Sequence, residues 1–172
     1  MDTGTGGVVS QLPEPFCPEP AAGAVPGPAL PAPEEIALRF WEQVRLPAPE
    51  PHIAPGYAVT GKTAYLETGA QPNASFERVT PLGTLTIQAS AELWVDWGEG
   101  EGPQGPYASL GGPWPHGEIT NVYAEAGTVD VTVTQQWSAT WALAGATGTL
   151  GGLSTTATIP DLAIEQLQAV LQ

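Results

Sequence analysis

Basic residues are nearly missing from this chain. Lys62, Arg39, Arg45 and Arg78 stand against eighteen acidic residues, a formal charge of −14 over 172 residues. Nucleic acid and anionic membrane surfaces both require clustered Lys and Arg, so neither is an expected partner. Charge of either sign is scarce, at 13% of residues against the usual ~25%. The acids are spread rather than blocked, which serves solubility. Cysteine occurs once, as Cys17. It cannot close an internal disulfide, and Phe16 precedes it where a lipid-anchor cysteine needs small residues, so a free thiol is expected. No run of about 18 apolar residues occurs, so no membrane-spanning segment is expected. The first residues are Gly- and Thr-rich, without a basic start or an apolar core, and no signal peptide is visible. His52 and His116 are the only histidines. Both lie in Pro/Gly-rich stretches with no Ser-centred nucleophile motif, and ligands for zinc are too few. No enzyme activity, metal or cofactor is expected.

What the chain does contain is alternation. From Val129 the odd positions carry Val129, Val131, Val133, Trp137, Ala139, Trp141 and Leu143. The even positions carry Asp130, Thr132, Thr134, Gln136, Ser138 and Thr140. A period of two over this length is a half-buried antiparallel strand. Further strands are expected over Tyr57 to Leu66, Gly83 to Ala91, Leu93 to Trp97, Glu118 to Tyr123 and Leu153 to Ile159. Turn signals separate them at Gly69 to Asn73, Gly98 to Gly105, Gly111 to Gly117, Glu125 to Gly127 and Gly145 to Gly152. One helix opens at Pro33-Glu34-Glu35, a sequence suited to a helix N-terminus, and runs to about Arg45. Its apolar stripe is Ile36, Phe40 and Val44, with Ala37 and Trp41 beside it. Many strands with one helix make the fold all-β, a β-sandwich. Leu162 to Gln172 fits a helix or a closing edge strand.

The expected organisation is a disordered Pro/Gly-rich tether over 1–33, a short helix and Pro-rich bridge over 34–55, and the sandwich over 56–172. The tether is expected because its composition cannot bury enough apolar surface to offset ordering entropy.

Two segments carry a resemblance. Trp94-Val95-Asp96-Trp97-Gly98-Glu99-Gly100 resembles the WxFGDG turn of PKD domains, the Ig-like modules of cell-surface and secreted proteins. Val122 to Val133 resembles their H-x-Y-x-x-x-G-x-Y-x-V-x-V segment. Asn121 stands where the family has His, Val129 where it has Tyr, and Glu99 at the second acid of the turn. From Pro33 onward the layout is similar to exported actinobacterial PKD-domain proteins, with Thr134 to Leu143 and Thr155 to Gln172 matching their last strands. The resemblance implies an Ig-like, PKD-like sandwich preceded by a helix, secreted or held at the cell envelope, with no catalysis attached. It also favours a strand over Leu162 to Gln172.

Gly56-Tyr57-Ala58-Val59-Thr60-Gly61-Lys62-Thr63 satisfies the phosphate-cradling pattern GxxxxGK[ST]. In such a loop backbone N–H groups hold phosphates, Lys62 meets the β/γ-phosphates and Thr63 binds Mg²⁺. A phosphate loop joins a buried strand to a helix. Here a Pro-rich bridge precedes it, and Gly69 and Pro72 follow closely. Gly56 and Gly61 read better as turn residues around an ordinary strand. Asp96, Glu99 and Glu101 crowd one turn but lack the alternating pattern of a calcium loop, and read as solvated. Asn73-Ala74-Ser75 matches a glycosylation sequon, meaningful only in a eukaryotic secretory host. The stretch from Tyr107 to His116 offers Tyr107, Trp114 and His116 among prolines. Exposed rings on a rigid sandwich are contact devices for protein or carbohydrate; the competing reading is that Trp114 caps the core. The function expected is a non-enzymatic extracytoplasmic binding or spacer module touching an envelope protein or a carbohydrate. The alternatives are an ATP- or GTP-binding protein using Gly56, Gly61, Lys62 and Thr63, and an accessory domain of a larger enzyme.

Overall fold

The computed structural model describes residues 27–168. The chain divides into Met1–Leu30 and Pro31–Gln172. Residues 27–30 have no regular structure, and the helix and strands lie in the second unit. Cys17 and most of the expected tether lie outside the described residues, as does the end of the chain from 169.

The helix α1 spans Pro33–Trp41, with Pro at its start and Glu34 and Glu35 in the first turn. Arg39 pairs with Glu35 one turn earlier. The helix stops short of Arg45: Gln43 N–H donates to Phe40 O and Val44 N–H to Trp41 O, a tightening that ends the α-ladder before Pro47. The fully buried positions are Ala37 and Trp41, with Ile36, Phe40 and Val44 flanking them. The expected stripe is therefore rotated. Small Ala37 faces the sheet directly, and the Trp41 indole reaches across it to donate to Gly151 O at 3.1 Å.

All remaining regular structure among the described residues is strand. The strands are β1 His52–Ile53, β2 Tyr57–Val59, β3 Thr63–Glu67, β4 Asn73–Thr80, β5 Gly83–Asp96, β6 Gln104–Tyr107, β7 Thr120–Val122, β8 Gly127–Leu143 and β9 Ala146–Glu165. A small sheet has the order β1-β3-β7, and a large one the order β2-β9-β8-β5-β4, with β6 beside the C-terminal part of β5. Among the described residues the protein is all-β with one short helix. The large sheet curls into a half-barrel.

Several strand expectations change. The segment Tyr57 to Leu66 is two strands in different sheets, since the chain leaves β2 at Thr60 and enters β3 at Thr63. Gly83 to Ala91 and Leu93 to Trp97 are one strand, β5, because Glu92 simply takes an outward position. The turn expected over Gly145 to Gly152 shrinks to Ala144-Gly145, and the register shift opposite Trp137 and Ala139 keeps Gly151 and Gly152 inside β9 as a bulge. β4 was masked in the sequence by Glu77-Arg78, which interrupts the alternation of half-buried Ala74 and Phe76. β6 lies inside a Gly/Pro-rich run. At the chain end, Leu162 and Ile164 are buried two apart, and β9 continues through Glu165.

One face of β5 and β8 is buried along most of its length, by two different covers, while the matching face of β9 is half-buried until Leu162. Leu93, Val95, Trp97, Val131, Val133 and Leu162 pack with Ile53, Leu66, Ile119 and Tyr123 of the small-sheet side. Leu85, Ile87, Trp137, Ala139, Trp141 and Leu143 pack under α1, with Val44 and Leu46 of the bridge at the margin. Gln135 lies between the two clusters along β8. It is buried, and its amide donates to Gln71 O at 2.8 Å.

Candidate functional site

The segment between β6 and β7 holds the most exposed aromatic side chain among the described residues. Trp114 is 75% exposed. It does not cap the core. Its loop is nonetheless tightly tied to β3. Thr68 N–H and Thr68 Oγ1 both donate to Leu110 O, at 3.2 and 2.6 Å. Gly112 N–H donates to Leu66 O, and Leu66 N–H to Ile119 O. Within the loop, His116 and Gly117 N–H both donate to Pro113 O, so Trp114 sits at the crest of a closed turn. Gly111 has φ +74, and a Cβ there would lie 2.0 Å from Leu66 O. That close approach is how the loop reaches the β3 backbone.

The structure does not keep Tyr107 with this crest. Tyr107 ends β6 opposite Leu93, is half-buried and packs on the core. His116 is exposed beside Trp114 in the chain. The surface the loop offers is therefore Trp114 and His116, with exposed Leu110 at its start. The sequence placed these residues in a loop, but not the braces. Thr68, the buried polar anchor, gave no signal, because a lone Thr after a strand looks like solvent-facing surface.

The turn after β5 is also well determined. Gly98 N–H donates to Asp96 Oδ1 at 2.9 Å, and Asn121 donates its amide N–H to Glu99 Oε2 at 2.8 Å. Tyr123 is buried edge-on to Trp97, ring centroids 6.5 Å apart, and its hydroxyl donates to Trp97 O. Burial, foremost, pushes its phenol up to about 12; the Asn121 side chain opposes this and the Glu99 carboxylate adds to it. Asp96 and Glu99 thus each give one carboxylate oxygen to the turn itself. No cluster of three metal-ligating side chains occurs among the described residues.

Gly56 to Thr63 runs strand, turn, strand. Gly56 N–H donates to Ile53 O, Thr60 N–H to Glu165 O, Gly61 N–H to Tyr123 O and Lys62 N–H to Val59 O. Those N–H groups are the ones a phosphate cradle would use. Thr63 begins β3 where a phosphate loop begins a helix. Lys62 is exposed. Calorimetry with ATP or GTP and Mg²⁺ is expected to show no saturable binding at micromolar strength. Binding lost in Lys62→Ala would reverse that expectation. His52 starts β1 and is exposed, with no part in either region.

Compared with known protein families, with curated proteins and with solved structures, the chain matches none. No helix among the described residues is long and apolar enough to cross a membrane.

Proposed function

We propose that this protein is a non-enzymatic binding or spacer module of the outer cell envelope, built on a divergent PKD-like, Ig-type sandwich. Support for the fold reading comes from the segment that prompted it. Asp96 closes the Gly98 turn, and Tyr123 packs on Trp97 and bonds its carbonyl. Asn121, at the family His position, ties down the acidic turn. The departure lies in the second layer: α1 takes the place of sheet over half of the large sheet.

The observation that carries the functional reading is an exposed indole on a braced loop. An apolar ring of this size in water favours burial against a partner. The brace from Thr68 and Gly112 means that little backbone ordering remains to be done on binding, which lowers its entropic cost. Flat apolar rings also stack on sugar faces and on protein side chains alike. A charge of −14 disfavours anionic partners and leaves neutral polysaccharide or a neutral to basic protein surface.

The test is retention on immobilised envelope polysaccharides and envelope proteins, wild type against Trp114→Ala. A hot-spot truncation costs about 2 kcal/mol, roughly a 30-fold loss of affinity. The thermal midpoint should not move, because the ring contributes little to the core. Equal retention of both proteins on every bound partner would remove Trp114 from the contact and with it this reading.

A further inference from the structure

β4 is the end strand of the large sheet. It pairs with β5 in an unbroken register from Asn73↔Ser90 to Thr80↔Gly83, and no strand lies on its other side among the described residues. Its hydrogen-bonding parity follows from one contact. Ala91 N–H donates to Pro72 O at 2.8 Å, one step before the Asn73↔Ser90 pair. Antiparallel pairs alternate between bonded and non-bonded. Ala74, Phe76, Arg78 and Thr80 therefore bond to β5. Asn73, Ser75, Glu77 and Val79 turn their N–H and C=O groups outward.

The other edges are short or interrupted: β9 meets β2 only over Ala163–Glu165, and the rest of its outer side is broken by the bulge at Gly151-Gly152 and by Pro160. β1 has two residues, β2 and β7 have three each, and β6 has four with Pro106 among them. β4 has eight residues and no bulge or proline, and its only charged side chains are Glu77 and Arg78. Proteins normally blunt such an edge by one of these devices.

We propose that β4 pairs antiparallel with β4 of a second copy of this chain, joining the two large sheets across a two-fold axis. The edge is complementary to itself in one register. Pairing all four outward residues sets Asn73 opposite Val79 and Ser75 opposite Glu77 of the second copy. Phe76 then meets Phe76 across the axis at a non-bonded pair, where side chains approach most closely, at about 4.5–5.5 Å between Cβ atoms. Phe76 already packs edge-on to Phe40 at 6.4 Å, so the rings continue across the axis. Arg78, which lies over the Phe40 ring, falls opposite Ala74. No two like charges stand directly opposite. Slipping the register by two residues one way sets Glu77 against Glu77; slipping the other way leaves Val79 without a partner. An isologous contact of this kind closes on itself.

The full chain is measured by analytical ultracentrifugation over a concentration series in high salt, which screens repulsion between two copies of charge −14. The wild type is expected to reach the mass of two chains. Glu77→Pro removes an outward N–H and leaves the β5 ladder intact. It is expected to sediment as one chain with an unchanged far-UV spectrum. A wild type that stays monomeric at the highest attainable concentration overturns the proposal, as does a Glu77→Pro variant that folds and still dimerises. If Glu77→Pro does not fold, crosslinking in a Cys17→Ser background decides. Phe76→Cys places thiols across the axis within disulfide range, whereas Ser75→Cys faces Glu77. Efficient inter-chain disulfide in Phe76→Cys and little in Ser75→Cys is the expected result; equal yields would refute the register and the pairing.

Discussion

Replacing Trp137 by alanine is expected to destabilise the protein by about 3–5 kcal/mol, the range for a large aromatic removed from a packed core. Trp137 is 3% exposed and lies among Leu85, Ile87, Trp41 and Trp141 under α1. It also carries a polar link. Its Nε1–H donates to Thr155 Oγ1 at 2.9 Å, and Thr155 in turn donates to Pro47 O at 2.9 Å. The indole thus helps hold the bridge after α1 against β9. Trp137→Phe keeps most of the apolar area and breaks the link, and should cost less, about 1–2 kcal/mol, mainly the lost hydrogen bond and a small void. Urea melts followed by far-UV circular dichroism would measure both. A loss below about 1 kcal/mol for the alanine variant would mean that the helix does not close this half of the sheet.

A second large effect is expected at Gly98, and Gly100 supplies its control. Both glycines have positive φ, +78 and +87. A Cβ at Gly98 would lie 2.6 Å from Asp130 O and 2.9 Å from Val129 Cβ, whereas one at Gly100 would meet nothing within 4 Å. Gly100→Ala should therefore cost only the left-handed backbone, about 1 kcal/mol. Gly98→Ala adds a clash with the β8 backbone and should cost at least about 2–3 kcal/mol. Paired denaturant melts of the two variants isolate the close approach of the turn to β8. Equal losses would show that the turn stands away from Asp130, and the support the turn lends to the sandwich reading would fall with it.

The two positions differ in how far the sequence announces them. Trp137 sits in the alternating run from Val129 to Leu143, and its buried face is legible from the period alone. What covers that face is not. Val131 and Trp137 have the same parity on the same strand, yet Val131 packs with the small-sheet cluster and Trp137 beneath a helix. Alternation reports which side of a strand is apolar, because side chains point to opposite faces in turn. It carries no information about the identity of the opposing layer, which comes from residues far away in the chain.

The helix gives the same lesson in smaller form. Pro33, Glu34 and Glu35 marked its start. Its end and its buried centre depended on what the helix touches, and Ala37 rather than Phe40 faces the sheet. β4 went unread because Glu77 and Arg78 lie side by side in an edge strand, where neither face is fully buried and the apolar period fades. Conversely, Gly56 to Thr63 matched a phosphate-binding pattern in residue types alone. The pattern specifies no hydrogen bonds, and here the N–H groups it would need are bonded to Ile53, Val59, Tyr123 and Glu165.

Composition and local period were thus enough for an acidic, all-β chain with one helix, and for placing Trp114 in a loop. These properties depend only on residues near one another in the chain. That Trp114 stands in solvent, that Thr68 and Leu66 hold its loop, and that Tyr107 packs half-buried against the core were decided by the tertiary structure. So was the edge position of β4 among the described residues, because an edge is defined by which strands lie beside it, and neighbours are chosen only when the whole chain packs.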